Sequence, residues 1–217
     1  MAGEITAIEV QRRNANRASI FIDGEFAFGL QMIEAIKLAK GQYLSDRDIA
    51  ALRAADEIER AYEYALDFLS HRPRSSTEVA QRLQRQEFSA LAADSAIARL
   101  TQAGLLDDRA FAEYWIRNRE QFRPRGQRAL RYELRQKGIP SDVVDELLDQ
   151  VDETKNAYLV AVQWVERWKR ARSQPPDLAI LRRKLSSYLQ RRGFGYEVIQ
   201  ETWAHIHDEH LAEEGDL

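Results

Sequence analysis

The sequence predicts a mainly α protein: three tandem three-helix units in an elongated array, preceded by a small N-terminal antiparallel β-meander. Three observations lead there. Apolar and polar residues alternate through residues 4–30, the period of half-buried strands. Beyond residue 46 the apolar positions recur at three- and four-residue steps, the period of amphipathic helices. One apolar pattern also returns three times. Val79, Leu83 and Phe88 map onto Leu130, Leu134 and Ile139 at an offset of 51 positions, and Leu185, Leu189 and Phe194 repeat the same steps.

The first 45 residues carry the meander. Ile8 and Val10, then Ala18, Ile20 and Ile22, then Phe26, Phe28 and Leu30 mark three strands. Asn14-Ala15-Asn16-Arg17 and Asp23-Gly24 supply turn signals, the second a strong two-residue hairpin cue. So few strands are marginal alone, and the sheet is expected to lean on helix. A short helix over Gln31–Ala39 should stop near Lys40-Gly41, and Ser45 with Asp48 has the spacing of a helix start.

Three units follow, over 46–106, 107–151 and 152–217. Their helices are expected at 57–70, 75–86 and 93–103; at 108–120, 126–137 and 141–150; and at 153–171, 178–192 and 195–208. Pro73, Pro124 and the pair Pro175-Pro176 break the chain between first and second helices. Ser75 and Glu78 have capping-box spacing. Gly138 and Gly193 follow basic residues as helix C-caps; Glu87 stands at that place in the first copy, so a different cap is expected there. One unit of this size has a small core, and neighbours should support one another as in helical repeats.

Composition bounds the rest. The chain has 217 residues, 44% of them hydrophobic, enough to bury a core. No apolar run approaches 18 residues and no basic leader precedes an apolar segment, so neither a membrane span nor a secretory signal is expected. A cytoplasmic monomer is the expectation. With no cysteine, disulfides, thiol nucleophiles and cysteine-bound metals are excluded.

Net charge is −3, yet it is unevenly spread. Arg109, Arg117, Arg119, Arg123, Arg125, Arg128, Arg131, Arg135 and Lys137 lie among only three acids, Glu113, Glu120 and Glu133. Residues 139–154 hold Asp142, Asp145, Glu146, Asp149, Asp152 and Glu153 and no base. The tail adds Asp208, Glu209, Glu213, Glu214 and Asp216. At about 100° per residue, Arg125, Arg128, Arg131 and Arg135 fall within a third of a helix circumference, away from Leu130 and Leu134. Arg123 and Lys137 flank them. The third copy offers Arg183, Lys184, Arg191 and Arg192 away from Leu185 and Leu189. Such faces are either solvated or meet an anionic polymer or acidic protein surface.

Catalytic signals are weak. Asp107-Asp108 opens a helix, where capping and the helix dipole account for paired acids. His205, His207 and His210 lack the i, i+4 spacing of a helical zinc site. Trp115, Trp164, Trp168 and Trp203 recur at core spacing, though tryptophans also stack on bases. No phosphate-cradling glycine loop and no nucleophile elbow is present. No enzyme, cofactor or metal is expected.

Two runs carry a resemblance. Gly104 to Arg119 has the form Gly-x-Leu-Asp-Asp-x-x-Phe-Ala-x-x-Trp-x-x-x-Arg, and Gln127 to Ile139 reads Gln-Arg-Ala-Leu-Arg-Tyr-Glu-Leu-Arg-Gln-Lys-Gly-Ile. Together with Ile5–Gln11 and Asp23–Phe26 they strongly resemble the RecX family of RecA regulators. The resemblance implies a non-catalytic protein of recombination, DNA repair and the SOS response. It would bind RecA and the RecA–DNA filament and restrain RecA, with DNA contact through basic faces. A helix-turn-helix-like duplex-DNA binder acting on transcription is the alternative; a nuclease would require metal-dependent cleavage.

Overall fold

The computed structural model describes residues 2–12, 14–171 and 177–210, without the His210 side chain. Pro175-Pro176 and the tail acids Glu213, Glu214 and Asp216 lie outside them. Strands β1 (Gly3–Gln11), β2 (Asn14–Ile22) and β3 (Glu25–Gln31) form the meander. A short fourth strand, β4 (Tyr43–Leu44), adds to β1 opposite Gly3 and Glu4, giving the antiparallel order β3-β2-β1-β4. Asp23 and Gly24 take φ of 51° and 90°, as a two-residue hairpin with right-handed strand twist requires. The other reversal falls before Asn14, which already pairs with Gln11, so Asn14–Arg17 is strand rather than turn.

Two bulges decide which side chains reach the core. β1 carries an extra residue between Ile5 and Ala7, and β3 one between Phe26 and Phe28. Each insertion reverses the facing of what lies beyond it. Ile5, Ala18, Ile20, Ile22, Phe28 and Leu30 are buried together. Phe26, expected inside, is turned to the other face and is 61% exposed. It meets Phe21 edge-on, ring centroids 6.0 Å apart. Val10, also expected inside, shares the face of its buried partner Ala18 but, near the end of β1, is 59% exposed. Helix α1 is also shorter than expected, Met32–Ala35 only. The chain must return to β1, where Gly41 N–H donates to Ile5 O at 2.8 Å and Ile5 N–H to Gln42 O at 2.9 Å. A helix running to Ala39 would forfeit that pairing.

Helix α2 (Asp46–Ser70) starts on a complete capping box: the Ser45 hydroxyl accepts from Asp48 N–H while the Asp48 carboxylate accepts from Ser45 N–H. The Ser45 hydroxyl, which also donates to the carboxylate at 2.7 Å, and the Ser45 N–H hold the Asp48 carboxyl below its usual value. With no glycine or proline inside, α2 runs unbroken for 25 residues, roughly 37 Å. Its first half buries Ile49 and Leu52 against the sheet; its second half buries Ala61 and Ala65 in the first helical unit. At the join Asp56, 7% exposed, accepts from Arg17 Nη2 at 2.7 Å and from Gln31 N–H at 3.1 Å. Strands β2 and β3 are pinned to the helix there.

The first three-helix unit is completed by α3 (Ser76–Arg85) and α4 (Ala90–Gln102). The second comprises α5 (Asp108–Phe122), α6 (Gln127–Gln136) and α7 (Ser141–Leu148). The third comprises α8 (Glu153–Arg170), α9 (Leu178–Arg191) and α10 (Tyr196–His210). Residues 1–107 form one compact unit and 108–217 another. Each repeat buries its own core, and the paired positions Val79/Leu83, Leu130/Leu134 and Leu185/Leu189 are at most 1% exposed.

All three second helices end in the same way. Phe88, Ile139 and Phe194 N–H donate back to Leu83, Leu134 and Leu189 O at 3.3, 3.1 and 3.3 Å. The preceding Glu87, Gly138 and Gly193 donate to Gln84, Arg135 and Gln190 O, completing Schellman caps. Glu87 therefore does not use a different cap: it adopts φ of 61°, the left-handed region a side chain resists.

Two stability changes follow. Glu87→Gly should raise the unfolding free energy by about 0.5–1 kcal/mol, relief of the left-handed strain exceeding glycine's extra unfolded entropy; a thermal melt no higher than the parent's would contradict it. Asp56→Ala strands the Arg17 charge and should cost about 3 kcal/mol. Replacing both partners by apolar residues should cost far less, and a double-mutant cycle in urea checks the difference.

Candidate functional site

The candidate site is the basic surface of α6 and α9, and its frame is a backbone-to-backbone contact. Gly126 caps α6 at its N-terminus. A Cβ there would lie 2.3 Å from the Gly193 carbonyl carbon, and one on Gly193 would lie 2.5 Å from Ala129 Cβ. Gly126 N–H donates to Arg192 O at 3.0 Å, and Arg192 Nη1 donates to Pro124 O at 3.2 Å. The end of α9 is thus seated on the first turn of α6. Nearby, Glu153 on α8 accepts from Gln127 N–H, and the buried Asn156 donates to Glu120 on α5.

The basic residues sort into two groups. Arg109 is held by Glu146 through two hydrogen bonds, 2.8 and 2.7 Å, which keep the Glu146 carboxyl below its usual value. Arg131 donates to Asp145 on α7 at 2.8 Å. Arg119 donates to Glu133 at 2.7 Å, and Arg125, which precedes the α6 cap rather than lying on the helix, stands 4.0 Å from the same carboxylate. Lys137 lies over the Trp115 ring at 5.0 Å, and Arg192 over Tyr188 at 4.8 Å. Arg123, Arg128, Arg135, Arg183, Lys184 and Arg191 are exposed, and among the described residues none of their side chains has an ion pair. Arg128 and Arg183 are equivalent, each two residues before a core leucine.

The tryptophans serve the cores. Each of the four is half-buried against its cluster. Trp115 Nε1 donates to Glu133 at 2.8 Å, and Trp164 packs on Tyr188 with ring centroids 5.7 Å apart. In the first unit Tyr64 faces Arg82 at 5.4 Å. So an aromatic on each first helix meets the residue just before the last buried leucine: Arg82, Glu133 or Tyr188. Only the second unit places an acid there, and that acid neutralises two arginines.

Asp108 opens α5. His205 lies edge-on to Tyr158 and His207 against Trp203. Among the described residues no group of three or more His, Asp or Glu is placed to hold a metal. Sequence reasoning passed over the arginines of the first unit, Arg72, Arg74 and Arg82. The 51-residue offset was the available signal, since it aligns Arg72 and Arg74 with Arg123 and Arg125.

Because the glycine contact leaves no room for a Cβ, Gly126→Ala should force the start of α6 away from α9 and cost about 1–3 kcal/mol. Thermal unfolding measures this, and an unchanged melting temperature would show the contact to be dispensable.

Models of four RecX domains match the chain in order. These are the Regulatory protein RecX N-terminal domain over residues 3–45, and the first, second and third three-helix domains over 61–100, 107–148 and 165–203. The chain is 32% identical over 207 residues to "Regulatory protein RecX" of Bacillus subtilis (strain 168), spanning 93% of this chain and 76% of that protein. It is 27% identical over 220 residues to the protein of that name from Listeria innocua, spanning 99% and 80%. A crystal structure of regulatory protein RecX superposes with a TM-score of 0.71 at 27% identity, covering 93% of this chain and 98% of that one. RecX from Lactobacillus salivarius shares the fold, with a TM-score of 0.62 at 22% identity over 70% of this chain and 97% of that one. With the Bacillus subtilis protein 32% identical over 93% of this chain, and the four domain models matching in order, the chain belongs to the RecX family.

Proposed function

We propose that this chain is a non-catalytic regulator of the recombinase RecA. In this reading it binds RecA and the RecA–DNA filament as a monomer in the cytoplasm and restrains RecA in recombination, DNA repair and the SOS response. Among the described residues no helix is long and apolar enough to cross a membrane. The observation that carries the reading is the set of exposed cations without acidic partners on equivalent second helices. Arg128 and Arg135 stand on α6; Arg183, Lys184 and Arg191 stand on α9. Unneutralised like charges at this density repel, and an anionic partner offsets that repulsion. Arg123 extends the α6 face. Arg125, Arg131, Lys137 and Arg192 belong to the same surface, but their internal partners leave them less to give a ligand.

The test replaces Arg128 and Arg135 by Gln, which keeps part of the aliphatic stem. Affinity for the RecA–single-strand filament should fall. If the two side chains meet phosphate, the log-log salt slope on bare single strands should become shallower by about 1.4. If they meet acidic side chains of RecA, filament affinity falls while bare-DNA binding holds. Unchanged affinity for both ligands would remove the proposal. Sequence-specific duplex binding without RecA would favour the transcriptional alternative.

A further inference from the structure

The first helical unit holds two guanidiniums that its own acids do not neutralise. Arg74 Cζ lies 3.9 Å from the centre of the Phe68 ring and Arg82 Cζ lies 5.6 Å from the same centre. Arg82 also faces Tyr64 at 5.4 Å. Each has its Nε buried with no hydrogen-bond partner. Glu78, the acid whose charge acts on Arg74, is engaged by Arg72 through two hydrogen bonds of 3.2 and 3.0 Å. Among the described residues neither Arg74 nor Arg82 has an ion pair. Burial, with the neighbouring Arg72 and Arg82 charges, pushes the Arg74 guanidinium below its ordinary value against the opposing pull of Glu78.

These costs are all of one kind. Two cations are held beside each other, partly stripped of water, with donors left unmatched, and aromatic faces stiffen both. A guanidinium stacked on a ring gives up little further freedom when it binds, and its remaining N–H groups form a planar fork suited to two-oxygen anions. Arg85 adds a third, exposed base at the end of α3.

We infer that Arg74 and Arg82, set on Phe68, form a phosphodiester-binding site in the first unit, separate from the basic faces of α6 and α9. A nucleic-acid backbone is the favoured occupant. Exposed cations also stand on α6 and α9, the second helices of the other two repeats, and a polymer of evenly spaced anions is the ligand that repeated cationic segments suit. The inference deepens the reading that this chain contacts DNA and rests on it to that extent. Its residues lie on a different unit from Arg128 and Arg135, so the two are tested by different variants.

The experiment measures binding of the full chain to a fluorescent oligothymidylate by anisotropy across a salt series. The Arg74→Gln/Arg82→Gln variant should lose about tenfold in affinity at low salt and about 1.4 in log-log slope. The Arg74→Lys/Arg82→Lys variant keeps the charge but not the fork. It should keep most of the slope while affinity falls, and it decides the matter if the Gln variant does not fold. Parent-like affinity and slope in both variants would overturn the site. Full displacement of the oligonucleotide by inorganic phosphate at constant ionic strength would overturn it in favour of a free-phosphate ligand. Loss of DNA-free RecA binding with oligonucleotide binding intact would overturn it in favour of an acidic protein face.

Discussion

One backbone hydrogen bond, made three times, governs the helical part of this molecule. When Phe88, Ile139 and Phe194 N–H groups return to the carbonyls of Leu83, Leu134 and Leu189, the second helix of each unit stops and the chain turns into the third. The residue that donates the bond is also apolar and packs into the same core as the leucine that accepts it. Termination of the helix, reversal of the chain and closure of the core are thus one event. It requires a left-handed residue just before the donor, and two repeats supply glycine. The first repeat forces a glutamate, Glu87, into that conformation, which shows how strongly the core holds the geometry.

With the cores settled, the polar surface is divided by distance from acids. The acidic segment after α6 serves the basic one before it. Asp145 and Glu146 reach back to Arg131 and Arg109, and Glu153 binds the first backbone N–H of α6. Glu133 takes Arg119 and the Trp115 indole N–H together. The cations left without an acidic partner include those on the outward side of α6 and α9 and those stacked on Phe68. A sequence with a small net negative charge therefore presents local positive charge where its cross-helix pairing is incomplete.

Much of this was legible in the sequence, for physical reasons. Helical periodicity and the repeated leucines follow from burial, which acts on residue type and spacing alone; the capping box of Ser45 and Asp48 is equally local, set by hydrogen bonding across three residues. What escaped depends on contacts between distant positions. A bulge is a single inserted residue with no composition of its own, yet it turned Phe26 outward. The four-residue α1 is set by pairing of Ile5 with Gly41 and Gln42, which no local propensity contains. Which arginines keep a free charge depends on partners 14 and 37 residues away, as with Arg131 and Arg109. The wheel placed Arg125 on the α6 face because it could not see that the helix begins one step after Gly126.

Helix α2 belongs to two cores at once, and this has a consequence for dissecting the molecule. Its 25 residues have no internal break. A cut that frees the sheet from the first helical unit must end the helix near Asp56, exposing fresh backbone donors and acceptors on both fragments and separating that carboxylate from one of its roles. Local opening meets the same obstacle. The sheet cannot peel away while the helix stays whole without laying Ile49 and Leu52 bare to water. The N-terminal sheet and the first repeat should exchange their amide protons with solvent as one cooperative block, although their side chains form two separate apolar clusters.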